Sequence, residues 1–232
     1  GTITVKSSDD GLNAKDWTLE SSDEQGPGQQ TKKVKSEATN AKNLDQAGDV
    51  KIVIDGGTLT VDAEGDGLDA NGSIEINGGT VVVNGPTSGA NAALDYDDNA
   101  TLNGGTVLFV DNGQMTMGFG SDSSQAFLMA SAQGTAGTTV EVVDSSGKTV
   151  ASLKAFKSFS TVLISSPDIK DGGKYTIKVG SNSTTATASK QAANIGGGPG
   201  GGPGQGGPGG GGQPGQGGPG GQPGQGGRPG GR

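Results

Sequence analysis

Between residues 50 and 111 apolar side chains come in pairs set two positions apart: Ile52/Ile54, Leu59/Val61, Ile74/Ile76, Val81/Val83 and Val107/Phe109. That period is what a β-strand shows when one face is buried and the other is wet. Thr2-Ile3-Thr4-Val5-Lys6 repeats it near the start of the chain. Short markers recur between the strands. Asp10-Gly11-Leu12-Asn13-Ala14, Asp66-Gly67-Leu68-Asp69-Ala70 and Ala92-Ala93-Leu94-Asp95-Tyr96 align on their leucines. Asp55-Gly56-Gly57-Thr58, Asn77-Gly78-Gly79-Thr80 and Asn103-Gly104-Gly105-Thr106 align on their second glycines, which lie 22 and then 26 residues apart. A period in this range marks a solenoid. At about 3.3 Å per residue such a turn has roughly 70 Å of contour, which suits three short sides with tight corners. Leu12, Leu68 and Leu94 should stack inward in one column. The Gly-Gly pairs should form corners where a Cβ would clash or φ is positive.

The rest of the chain departs from this pattern in distinct ways. After Trp17-Thr18-Leu19-Glu20, residues 21–48 dissolve into Ser, Gln, Lys, Asp and Gly-Pro-Gly, the composition of an inserted surface loop. Val5 and Val61 hold like positions 56 residues apart, one 22-residue turn plus an insertion of about 34. Residues 112–138 read as irregular, anchored by Met115, Met117, Phe119, Phe127, Leu128 and Met129. Strand character returns over residues 139–180, where antiparallel strands are expected to cover the open end of the solenoid. Residues 196–232 contain only Gly, Pro, Gln and two Arg, with prolines spaced by 4, 5 or 6 residues and hence no collagen period. The expected organisation is an all-β chain: parallel repeats over 1–111, a capping β region over 112–188, and a disordered Gly/Pro-rich tail over 189–232.

Composition then narrows the chemistry. Both arginines lie in the tail, so the first 195 residues carry a net charge of −10 against −8 for the whole chain. Such a surface disfavours nucleic acid and anionic membranes and favours cations or neutral ligands. The chain has no cysteine and no histidine, which removes the commonest transition-metal ligands and the commonest general base. No stretch approaches the ~18 apolar residues of a spanning helix. A start at Gly1, without Met and inside a repeat, suggests a processed or truncated piece. Few aromatics with abundant Gly, Asn, Asp, Thr and Ser point to a secreted protein, with wall or matrix contact as one role for the tail.

Stacking places the candidate chemistry. Adjacent turns of a parallel solenoid lie about 4.8 Å apart. Asp10 and Asp66 then share one column, Asn13, Asp69 and Asp95 another, with Asn71, Asp97 and Asp98 just beyond. Carboxylates this close repel, and Ca²⁺ bound to oxygens from successive turns would remove the repulsion. A plain Asp/Asn ladder satisfied by amides and water is the other reading. Asp55, Asn77 and Asn103 form a third column, read as a structural ladder. Trp17 and Tyr96 lie near the acids and suit the apolar faces of sugar rings, or else pack against a loop. Catalysis by proton abstraction needs a cationic base, and Lys6, Lys15 and Lys51 form no cluster in sequence.

In that order, Gly-Asp-Gly-Leu-Asp-Ala-Asn-Gly-Ser (65–73), Asn-Gly-Gly-Thr-Val-Val-Val-Asn-Gly-Pro-Thr (77–87), Ala-Leu-Asp-Tyr-Asp (93–97) and Val-Leu-Ile-Ser-Ser-Pro-Asp-Ile-Lys-Asp-Gly-Gly-Lys-Tyr-Thr (162–176) resemble the secreted carbohydrate-binding-domain proteins of clostridia and relatives. The resemblance covers about residues 1–180. It implies a right-handed parallel β-helix related to polysaccharide lyases, binding Ca²⁺ and cellulose or acidic pectic sugars without established catalysis. Carried over by position, Asp66, Asp69, Asn71 and Asp95 match the acidic positions, with Asp10 as their first-repeat counterpart. Ala92 replaces an acid, which shortens that column, and further turns would be expected before Gly1. The expected function is a non-catalytic, Ca²⁺-dependent module with Asp10, Asp66, Asp69, Asn71 and Asp95 at the metal and Trp17, Tyr96, Asp97 and Asp98 at the sugar. The alternatives are a pectate-type lyase and a structural or adhesive surface protein.

Overall fold

The computed structural model describes residues 1–15 and 50–191. Among these residues there is no helix; every regular element is a strand. The first ten are β1 (Thr2–Ser7), β2 (Leu12–Ala14), β3 (Lys51–Ile54), β4 (Thr58–Ala63), β5 (Leu68–Ala70), β6 (Ser73–Ile76), β7 (Thr80–Asn84), β8 (Leu94–Tyr96), β9 (Asn99–Leu102) and β10 (Thr106–Asp111). The rest are β11 (Leu128–Gly134), β12 (Thr139–Val143), β13 (Thr149–Lys154), β14 (Phe159–Ser165), β15 (Lys174–Val179) and β16 (Asn182–Thr187). Trp17, the expected inserted loop at 21–48 and the tail from residue 192 lie outside the described residues.

The repeats pair as the sequence period requires. The chain visits three parallel ladders in turn, β1-β4-β7-β10, β2-β5-β8 and β3-β6-β9. Val5 lies opposite Val61 across the 56-residue separation, and Leu12, Leu68 and Leu94 share one register position. Leu68 and Leu94 are fully buried, whereas Leu12, on the last strand of its sheet, is only partly covered. Gly57, Gly79 and Gly105 all take positive φ, and a Cβ on Gly79 or Gly105 would lie 2.6 or 2.7 Å from the carbonyl oxygen of the glycine one repeat earlier. Glycine is needed there for conformation and for space at once.

Two cores lie on opposite faces of one sheet. Val81, Val83, Val107 and Phe109 face an inner core with Leu68, Ile74 and Leu94. Val82, Leu108 and Val110 face a second core with Val140, Val142, Val162, Ile164 and Ile177. Residues facing this second side grow more apolar along the repeats, from Thr2, Thr4 and Lys6 through Thr58, Thr60 and Asp62 to Leu108 and Val110. That gradient decides where the C-terminal region packs. The antiparallel sheet β13-β12-β15-β16 shares the second core and so covers a side face. Of the strands expected over residues 139–180 to cover the open end, β14 does so by pairing antiparallel with β10, while β12, β13 and β15 lie on the side face. Closure of the β10 edge falls to β14 and β11, which extend the long sheet antiparallel.

Residues 112–138 are less irregular than expected, because β11 lies within them. Its inward positions include Ala130 and Ala132, too small to mark a strand by hydrophobic pattern. Before it, Phe119 packs edge-to-face on Phe109 and Phe127 at centroid distances of 5.7 and 5.5 Å. Gly120 and Gln125 donate backbone hydrogen bonds to Ala100 and Leu102, covering the β9 edge. Ser189 pairs with Phe127 through two backbone hydrogen bonds, so the folded part runs past the expected boundary at residue 188.

Candidate functional site: a carboxylate ladder on the repeats

The short ladder β2-β5-β8 positions the acids. In each strand the residue between two inward side chains must face out. Asn13, Asp69 and Asp95 occupy that place in register. The column at Asp10 and Asp66 is tied by the backbone: Asp66 N–H donates to Asp10 Oδ1 at 2.9 Å, and Ala92 N–H donates to Asp66 Oδ1 at 2.6 Å. One repeat's carboxylate thus caps the next repeat's amide. Where Ala92 ends the column, buried Asp111 takes over and accepts from Ala93 N–H at 3.1 Å, from Gly113 N–H and from the Thr116 hydroxyl. Nothing local in sequence marks that role for Asp111.

A neutral amide bridges the two columns. Asn13 Nδ2 donates to Asp10 Oδ2 at 3.0 Å and to Asp69 Oδ2 at 2.6 Å. Among the described residues no side-chain amide bridges Asp69 to Asp95 in this way, although the Asn71 amide donates to Asp97 beside them. Burial pushes the Asp66 carboxyl up to about 6, with Asp95, Asp10 and Asp69 adding to the rise and the Ala92 amide opposing it. Burial likewise pushes Asp69 up to about 6, aided by Asp10, Asp95 and Asp97 and countered by Lys15. Asp95 is also raised, by burial and then by Asp97 and Asp10, against the Tyr96 amide. These five carboxylates act on one another electrostatically and form one group.

The other expected site residues divide. Asn71 Nδ2 donates to Asp97 Oδ2 at 2.9 Å and so adjoins the acid group, whereas Asp98, accepting from Ser73 Oγ at 2.8 Å, sits on the neighbouring corner. For Tyr96 the packing alternative holds rather than a ring presented to sugar. It shares the inward parity of Leu94, packs against the inner core, and its hydroxyl donates to Gly118 O at 2.7 Å. The i, i+2 rule applied to Leu94 would have found this. Asp55, Asn77 and Asn103 form the expected structural ladder, with amide-to-oxygen distances of 2.8 and 2.9 Å. Lys6 pairs with Asp62 and Lys51 with Glu75, so neither joins the acid group. Among the described residues, no three Asp, Glu, His or Cys side chains form a ready-made metal cage.

An all-β protein with stacked parallel repeats and an outward column of acids is the class that this geometry defines. Residues 1–135 match the family described as carbohydrate-binding domain-containing proteins, and the chain belongs to that family. Membership supports a carbohydrate-binding role. No curated protein and no solved structure matched.

Proposed function

We propose that this chain is an extracellular, non-catalytic carbohydrate-binding module, built as a right-handed parallel β-helix. Its outward face at Asp66, Asp69 and Asp95 would take up Ca²⁺ and, through it, an acidic plant-type polysaccharide. The observation that carries this reading is the in-register pair Asp69 and Asp95, facing out beside Asp66. Like charges stacked by the fold cost free energy that a divalent cation recovers. The donor set is all oxygen, which suits a hard ion such as Ca²⁺, and Ca²⁺ accepts about 6–8 oxygens. With no closed protein cage, the remaining ligands would be water and sugar carboxylate.

The case against turnover rests on the cations at hand. Residues 1–195 contain neither Arg nor His, and Lys15 is the lysine felt by Asp69. It lowers the charge repulsion there and is no cluster of bases. The test is co-sedimentation with cellulose and retention by polygalacturonate, each with Ca²⁺ or chelator, alongside ultraviolet absorbance of the polymer solution. Calcium-dependent retention without rising absorbance is expected. Steady formation of unsaturated uronate would make the protein a lyase, and failure to retain any polysaccharide would favour a structural role.

A further inference from the structure

The antiparallel sheet carries a second polar face that the family match leaves unassigned, since the match ends at residue 135. Its inner side is taken by Val140, Val142, Tyr175 and Ile177. Its outer side presents Lys174, Thr176 and Lys178 along β15, opposite Thr187, Thr185 and Ser183 of β16. Lys154 stands at the far end of β13 on the same side, opposite Thr139. Among the described residues Lys154, Lys174 and Lys178 form no salt bridge, unlike Lys6, Lys51, Lys148 and Lys157. A groove of about 470 Å³, within the usual size of ligand sites, runs over Lys174, Thr176, Thr185 and Thr187 and ends at Asp144.

We propose that this face, from the groove at Lys174 to Lys178 beyond it on β15, binds an acidic polysaccharide chain directly, without Ca²⁺, with Lys174 and Lys178 on sugar carboxylates and the Thr176, Thr185 and Thr187 hydroxyls on ring oxygens and hydroxyls. Three features of the face select that partner. Lys174 and Lys178 are four residues apart on one strand, about 13 Å, too far for a single small anion but suited to charge repeated along a polymer. The row of hydroxyls between and beside them offers both donors and acceptors, as sugar hydroxyls require. The four strands of this sheet carry neither Arg nor an exposed aromatic ring, the side chains that stack on bases. Two acids moderate the charge. Glu141 lies opposite Lys178, and Asp144 closes the groove with Oδ1 already accepting from Ser146 and Lys148. Asp144 Oδ2 remains to accept a sugar O–H.

The full chain should therefore retain unesterified polygalacturonate in chelator at about 0.1 M salt, and lose it at 1 M. Fully methyl-esterified polymer, which lacks the charge, should bind much less. Lys174→Gln/Lys178→Gln/Lys154→Gln should weaken the chelator-resistant binding about tenfold, as three exposed charge contacts predict. An unchanged melting temperature and an unchanged Ca²⁺-dependent increment would show that the triple variant is folded. No retention in chelator, or retention indifferent to the three lysines, would overturn the proposal. So would stronger retention of duplex DNA or of anionic lipid vesicles. The Ca²⁺-dependent reading fails separately, through loss of the increment on adding Ca²⁺.

Discussion

Two regions of the molecule solve opposite problems. The described part of the repeats, residues 1–15 and 50–111, holds twelve Asp and Glu against three Lys, while residues 139–191 hold four against seven. Parallel, in-register stacking places like on like, so an acid at one repeat position becomes a column of acids. Antiparallel pairing places unlike residues opposite, as with Glu141 and Lys178. Charge in the repeats therefore accumulates until something neutral or cationic intervenes. Asn13 does so at the lower end of the ladder, and the Asn77–Asn103 amides do so in the Gly-Gly column. Asp66, Asp69 and Asp95 all keep raised carboxyl pKa values, and this is where the proposed function places its cation.

The largest effect that would break this comparison is loss of the stack itself. Leu68→Ala should cost about 2–5 kcal/mol by denaturant melting, as a fully buried leucine between two others in register. Leu12→Ala, partly exposed, should cost clearly less. Equal costs would contradict the column.

How much of this was legible follows from the same contrast. Leu68, Gly79 and Asp69 could be placed from sequence because repetition gives each residue a known neighbour. Tyr96 follows the second of its two expected readings, packing under the segment at Gly118, and its parity with Leu94 was the readable sign. Asp111 and the β14–β10 pairing were not readable, since an antiparallel partner 54 residues away leaves no periodic trace. The link from Lys157 to the repeats is longer still. Its ammonium, with the side chain 11% exposed, reaches Ala63 O at 2.7 Å, Glu64 at 3.0 Å and Asp62 at 3.4 Å. Phe156 N–H beside it donates to Asn84 Oδ1 at 2.7 Å, and Asn84 is buried.

That junction gives the next effect. Lys157→Met keeps the side chain's length and removes the charge, leaving the Ala63 carbonyl unpaired. It should cost about 1–3 kcal/mol in global stability. A change within measurement error would show that the junction contributes nothing to holding the sheet on the repeats.

A smaller effect sharpens the electrostatic side. Asp66 and Asp69 are raised in the fold, to about 6, so the folded state holds protons that the unfolded chain has released. Their stabilisation is present below their unfolded values and is lost as pH rises through about 6. In chelator, the melting temperature should fall between about pH 4 and pH 6.5. Saturating Ca²⁺ should flatten that slope by binding the deprotonated folded state. A melting temperature rising over this interval in chelator would contradict the mutual repulsion. Smallest of all, Lys174→Gln should move stability by no more than about 0.5 kcal/mol, since its charge has no partner in the sheet.

The central claim is tested most directly by calorimetric titration of an oligogalacturonate into the protein with Ca²⁺ present, comparing wild type with Asp69→Asn/Asp95→Asn. The substitution keeps shape and polarity and removes two stacked charges, so stability should hold or rise. The account predicts that the Ca²⁺-dependent part of binding disappears in the variant. Undiminished Ca²⁺-dependent binding by the variant would contradict it.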